Sequence, residues 1–380
     1  MTIVAITGAR ILAGSLWQDD HAVLVKDGKI DAVVHATAVP AAAQAHALGG
    51  GMLVPGFIDT QVNGGGGVLF NDQPSVEGIV AIAKAHRRFG TTAMLPTLIS
   101  DDLDVIAAAI AAVDMAIASS VPGIIGIHIE GPFLNAGKRG IHDAHKFRTL
   151  DDAAIALLSS LKNGKTLITL APELAPVGAI ASLVNNGVIV AAGHTLASYD
   201  DIARAIAEGL SGVTHLFNAM TPLESRAPGV VGAALDSDLI CGIIVDGHHV
   251  DPASLRVAYR AKGADALMLV TDAMPTVGSD VKSFRIGDAD IVADGGVLRS
   301  DDGTLAGSAL DMASAVRNCA NMMRVDLIEA IHMATRTPAT FLGLAGSYGR
   351  IEPGYRADMV HLGDALDVQA TWIAGRIDTL

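Results

Sequence analysis

Between Leu53 and Leu344 short apolar runs alternate with amphipathic segments, a pattern that predicts repeated βα units. Eight runs read as strands: Leu53–Asp59, Thr92–Leu98, Ile124–Glu130, Thr166–Leu170, Val188–Gly193, Gly212–His215, Leu239–Asp246 and Leu267–Thr271. The helical segments between them are punctuated. Ser198 and Asp201 make a capping box for a helix that Gly209 ends, and Asp251, Pro252 and Gly263 supply the cap, first position and stop of another. Gly90, Gly164 and Gly187 also follow helical segments. Eight such returns predict an α/β fold, a (β/α)8 TIM barrel.

The two ends carry a different pattern. Ile3–Arg10, Ala22–Lys26 and Lys29–Val34 are short β-like pieces with a hairpin turn at Asp27-Gly28. Ile351, Met359–His361 and Thr371–Ala374 are similar and are separated by breakers such as Pro353-Gly354. These segments are expected to pair into one small β-sandwich-like domain, residues 1–52 with 345–380, beside a barrel domain over 53–344. A hairpin near Phe284–Arg299, turning at Gly287 and at Asp294-Gly295-Gly296, interrupts the chain after the eighth strand.

Composition narrows the partners. The net charge of −14 argues against nucleic acid or an anionic membrane surface, both of which repel an acidic protein. An anionic small substrate would need a local cluster of Arg, His and backbone N–H groups. Cys241 and Cys319 both sit in apolar contexts, which argues against a disulfide framework and for a reducing compartment. The start MTIVAITGARIL lacks the basic stretch and cleavage pattern of a secretory signal, and no apolar run approaches a membrane span. The expectation is a soluble cytoplasmic protein.

Polar residues close four of the apolar runs: Glu130, His194, His215 and Asp272. A lone Glu or His at a strand end commonly caps a helix or lies in a solvated loop. Three of them at the ends of strands 3, 5 and 6 instead match an O,N,N metal set at a barrel mouth, with a position left for water. Without cysteine ligands, Zn²⁺, Fe²⁺, Co²⁺ and Mn²⁺ all remain suitable. Asp272, on the same rim, is placed to take a proton from an attacking water and return it to a leaving group, or merely to cap the next turn.

The stretch DTQVNGGGG after the first strand is where the chain resembles the amidohydrolase superfamily, many of whose members have His-x-His there for a second metal. Here the positions are Gln61 and Asn63, neutral amides and poor ligands, so they read as a vestigial second-metal position. Nor does a lysine close strand 4, since Lys165 precedes it. A single metal is expected. The segments HIEGPFL, KRGIH, TLAPE, AAGHT, THLFNAM, IVDGHHVD, VTDAM, GTLAGSALDM and GRIEPGYRADMV, in that order, resemble the N-acetylglucosamine-6-phosphate deacetylase family across nearly the whole chain.

That resemblance implies hydrolysis of N-acetylglucosamine-6-phosphate to glucosamine-6-phosphate and acetate. One divalent metal, Zn²⁺ first, would activate water with Asp272 as general base and then acid, and His142 would polarise the acetyl carbonyl. It further implies that His249, Asn218, Ala219 and Arg226 bind the phosphorylated substrate. The loop ESRAPG would carry Arg226 to a neighbouring subunit's site, hence a homodimer. On the residues alone, His142 reads equally as a loop residue beside Lys138, Arg139 and His145. Arg226 reads equally as a solvated charge, and His248 and His249 as a capping pair ahead of Pro252. His128 is expected to pack inside the barrel. Two alternatives stay open: another amidohydrolase, such as a cyclic amidase or an N-acyl-amino-acid deacylase, which should lack the Arg226–His249 phosphate set, and a non-catalytic homologue, which should have lost Asp272 or a histidine ligand.

Overall fold

A computed structural model describes residues 2–379; Met1 and Leu380, the outer ends of the expected terminal unit, lie outside the described residues. Eight parallel strands form one sheet in chain order: β1 Phe57–Val62, β2 Thr91–Ile99, β3 Gly126–Glu130, β4 Lys165–Leu170, β5 Ile189–Ala192, β6 Gly212–Val213, β7 Ile240–Ile243 and β8 Leu267–Leu269. Helices such as Val76–Arg87, Leu103–Ala118 and Pro252–Lys262 return the chain between them. The result is the expected barrel. Its seam between β8 and β1 is a single parallel bridge, Val62 to Ala273, supported by Asp272 N–H donating to Gln61 O at 3.0 Å. Across the same seam the buried Asp59 carboxylate accepts from the Thr271 amide at 3.3 Å and the Thr271 hydroxyl at 2.5 Å.

The expected first strand is in fact two. Met52–Pro55 pairs antiparallel with Met359–Leu362 in a six-stranded sheet built from both chain ends, and only Phe57–Val62 enters the barrel. Gly56 makes the switch possible. A Cβ there would stand 2.1 Å from Thr92 Oγ1, so a side chain would push the two sheets apart. A second terminal sheet of four strands encloses, with the first, a separate core that includes Ile6, Ile11, Val23, Leu53, Met359 and Trp372. Each large side chain fully buried there contributes roughly 1.5–3 kcal/mol.

Strands β5, β6 and β8 end earlier than their apolar runs suggest. The backbone turns left-handed at His194 (φ 49°), His215 (φ 31°) and Asp272 (φ 52°), which no extended strand can accommodate. The insertion after β8 is larger than a hairpin: a third turn at 301–303 adds Leu305–Ser308 as a fourth antiparallel strand. It packs on Leu69, Ile99 and Met274 from the barrel rim. Both expected caps are present, the Ser198/Asp201 box and Asp251 accepting from Ala253 N–H. Among the described residues no helix is long and apolar enough to cross a membrane.

Candidate active site

Glu130 is the last residue of β3, His194 follows β5 after Gly193, and His215 lies two residues past β6, so three distant parts of the chain meet at one end of the barrel. Glu130 Oε1 lies 3.1 Å from His194 Nε2 and 3.0 Å from His215 Nε2, and the two imidazole nitrogens are 3.1 Å apart. All three side chains are buried. His194 Nδ1 lies 2.8 Å from the Lys138 carbonyl, an atom that only accepts, so Nδ1 carries the proton and Nε2 of the neutral ring points its lone pair inward. Acceptor atoms crowded this closely repel one another unless a proton or a metal ion lies among them.

A small divalent ion fits this donor set. Ligands about 2.0–2.2 Å from one ion stand roughly 3–3.5 Å from each other, and the backbone bond to His194 is the supporting contact that metal-binding histidines ordinarily make. Burial alone would raise the Glu130 carboxyl, but the hydrogen bonds and charges of His194 and His215 hold it well below the usual range. The His215 ring is desolvated, which lowers it, yet the bond and charge of Glu130 leave it raised. The set thus attracts positive charge.

Asp272 sits beside this group in a left-handed turn, a position that costs a non-glycine residue roughly 1–3 kcal/mol and that the surrounding seam enforces. Burial and then the charge of Glu130 push its carboxyl up to about 6. Asn63 Nδ2 donates to Asp272 Oδ1 at 2.7 Å, while Gln61 Nε2 donates to Glu130 Oε2 at 3.0 Å and to Asp272 Oδ1 at 3.2 Å. The two amides therefore act as donors to carboxylates.

His142 is brought in from the loop after β3. Its ring lies 4.4 Å from that of His194, and its Nε2 is 4.0 Å from Glu130 Oε1. Burial and the nearby His194 push it down to about 3, which keeps the ring neutral. His249 is held by Asp246, whose Oδ2 accepts from Nδ1 at 2.6 Å. His142 and His249, with Asn218 and Ala219, line a cavity of ≈ 520 Å³ at the barrel mouth.

Arg226, Lys165 and His128 lie outside this cavity. Arg226 is exposed and borders a separate depression with Leu196, Tyr199 and Pro222 instead of this cavity. Lys165 begins β4, at the opposite end of the barrel from the cavity. His128 packs inside, bonded to Thr169 Oγ1 at 2.8 Å. Sequence reasoning missed Ser100, whose hydroxyl is 2.8 Å from His142 Nδ1, and Asp59, the carboxylate of the seam. It also missed the cavity wall formed by Thr304, Leu305 and Gly307, although GTLAGS is one of the segments that carry the resemblance.

A barrel with two histidines and a glutamate converging at its carboxyl rim, beside a buried aspartate, defines a class: barrel hydrolases with a metal centre. Residues 52–377 match the amidohydrolase family and residues 4–53 the NagA composite domain. The chain belongs to the amidohydrolase family, of the NagA type. It is 47% identical over 373 residues to an N-acetylgalactosamine-6-phosphate deacetylase of Shewanella sp. (strain ANA-3), covering 97% of this chain and 94% of that one. It is 33% identical to an N-acetylglucosamine-6-phosphate deacetylase of Haemophilus influenzae, with 94% of each chain covered. A solved N-acetylglucosamine-6-phosphate deacetylase from Pasteurella multocida superposes with a TM-score of 0.96 at 34% identity over 100% of both chains.

Proposed function

We propose that this chain hydrolyses the acetamide of an N-acetylhexosamine 6-phosphate to acetate and the amino sugar phosphate. The observation that carries the reading is the buried Glu130–His194–His215 acceptor set with Asp272 beside it in one cavity at the barrel mouth. Glu130, His194 and His215 would hold one divalent metal, Zn²⁺ first among the candidates. That ion, when bound, supplies Lewis acidity toward water and a carbonyl oxygen.

The chain's own groups do the rest. Asp272 takes the proton of the attacking water and passes it to the departing amine nitrogen, so the carboxylate begins and ends the cycle ionised. His142 donates from its ring to the acetyl oxygen as negative charge develops there. His249, Asn218 and the Ala219 backbone bind the phosphorylated sugar, joined by Arg226 from a second copy in a homodimer, since Arg226 lies outside its own chain's cavity. Gln61 and Asn63 keep the vestigial second-metal position filled with amide N–H groups.

For the sugar, the galacto epimer is the preferred substrate. It is supported by the 47% identity to the Shewanella enzyme, against 33% to the Haemophilus one. N-acetylglucosamine-6-phosphate is the second reading, favoured by the close superposition on the Pasteurella structure. Measuring kcat/KM on both epimers with metal-loaded protein decides: a higher value for the galacto compound supports the first reading, and the reverse order replaces it with the second.

A further inference from the structure

The structure assigns Ser100 as the residue that fixes which nitrogen of His142 faces the substrate. The assignment rests on the proposed deacetylation, and it adds a positioning residue that neither the strand-end pattern nor the motifs point to. Ser100 directly follows β2, and its backbone N–H donates to His142 Nδ1 at 3.3 Å. A backbone amide can only donate, so Nδ1 of the neutral ring is the acceptor and holds no proton. The Ser100 hydroxyl lies 2.8 Å from the same atom and 3.5 Å from the Glu130 carbonyl oxygen, and it donates to the nearer acceptor, Nδ1. The remaining proton lies on Nε2, the nitrogen directed toward Glu130 and the acceptor set.

The chemistry follows from the tautomer. With Nε2–H inward, His142 is a hydrogen-bond donor to the acetyl oxygen and is neither a metal ligand nor a base. His194 is set the opposite way by the Lys138 carbonyl, which takes its Nδ1–H and leaves Nε2 as a lone pair. Two histidines whose rings are 4.4 Å apart are thus assigned opposite tasks by the backbone group each one meets. The fold makes room for this contact at Gly131. A Cβ at that position would come 2.2 Å from the Ser100 hydroxyl oxygen, so any side chain there would displace it.

The test uses the metal-loaded protein. The imidazole ¹⁵N spectrum should show His142 protonated at Nε2 and unprotonated at Nδ1. Ser100→Ala should lower kcat about 3- to 10-fold, the size of one lost hydrogen bond, with KM and metal content unchanged. Ser100→Thr, which keeps the hydroxyl, should restore kcat. In a His142→Asn background Ser100→Ala should cost nothing further. An Nδ1–H tautomer in the native protein, an unchanged kcat in Ser100→Ala, or a full additional loss in the His142→Asn background would each overturn the assignment. Absence of turnover by native protein on either sugar phosphate would instead count against the deacetylase reading, and the spectrum would still report the tautomer.

Discussion

Asn63 donates its side-chain amide to Asp272 at 2.7 Å, so the residue proposed as the base is held by a donor in the place where relatives with His-x-His keep a metal ligand. Gln61 does the same between Glu130 and Asp272. An amide can ligate a cation only through its oxygen, and here it is the nitrogens, which only donate, that face the two carboxylates. What looks in sequence like a lost metal site is, in space, a pair of N–H groups satisfying two buried carboxylates. The native protein is expected to hold one metal per chain, and a count near two by elemental analysis contradicts this account.

The same contact sets a pH dependence. Burial and the charge of Glu130 push Asp272 up to about 6, and the Asn63 bond opposes that rise. A base works only when ionised, so turnover should increase with pH through the Asp272 titration. Asn63→Ala removes a donor to the ionised form and should move the acid limb of the kcat profile to higher pH. An unmoved limb would show that the limb belongs to another group.

Asp272→Asn keeps the shape of the side chain and removes its basicity. Turnover should fall by about 10²–10⁴-fold while the metal stays bound. Retained activity at full metal content would mean that a different residue carries the proton.

Asp59 predicts an effect on stability. Burial pushes its carboxyl from 3.8 to about 7 despite the bonds from Thr271 and Gln61. The folded chain therefore binds a proton between about pH 4 and pH 7 that the unfolded chain has lost, and the stability due to this group falls as pH rises through that window. Asp59→Asn cannot ionise. In urea unfolding, native protein should lose stability relative to this variant between about pH 4 and pH 7, by a few kcal/mol at most. A difference that stays constant would show Asp59 ionised throughout.

Much of this was legible in the sequence. Buried parallel strands read as apolar runs, and Glu130, His194, His215 and Asp272 stand out because each interrupts one. The break at Gly56 was not legible, because the apolar run continues from Met52 across Gly56 to Ile58 with no polar residue to mark where one sheet is left and the other joined. Asp59 was invisible for another reason: its partner Thr271 is 212 residues away, and only closure of the barrel brings them together. Ser100 acts through its place beside the His142 ring, which no spacing rule encodes. The fourth strand of the insertion was lost in a short run, Leu305–Ser308, that resembles a loop.

The most direct test of the central claim is acetate release from N-acetylgalactosamine-6-phosphate and N-acetylglucosamine-6-phosphate, set beside the two unphosphorylated sugars. Metal-loaded protein should release acetate and amine in equal amounts from at least one phosphorylated sugar, far faster than from its unphosphorylated form, and a chelator should stop it. No acetate from either phosphorylated sugar at full metal occupancy would contradict the account.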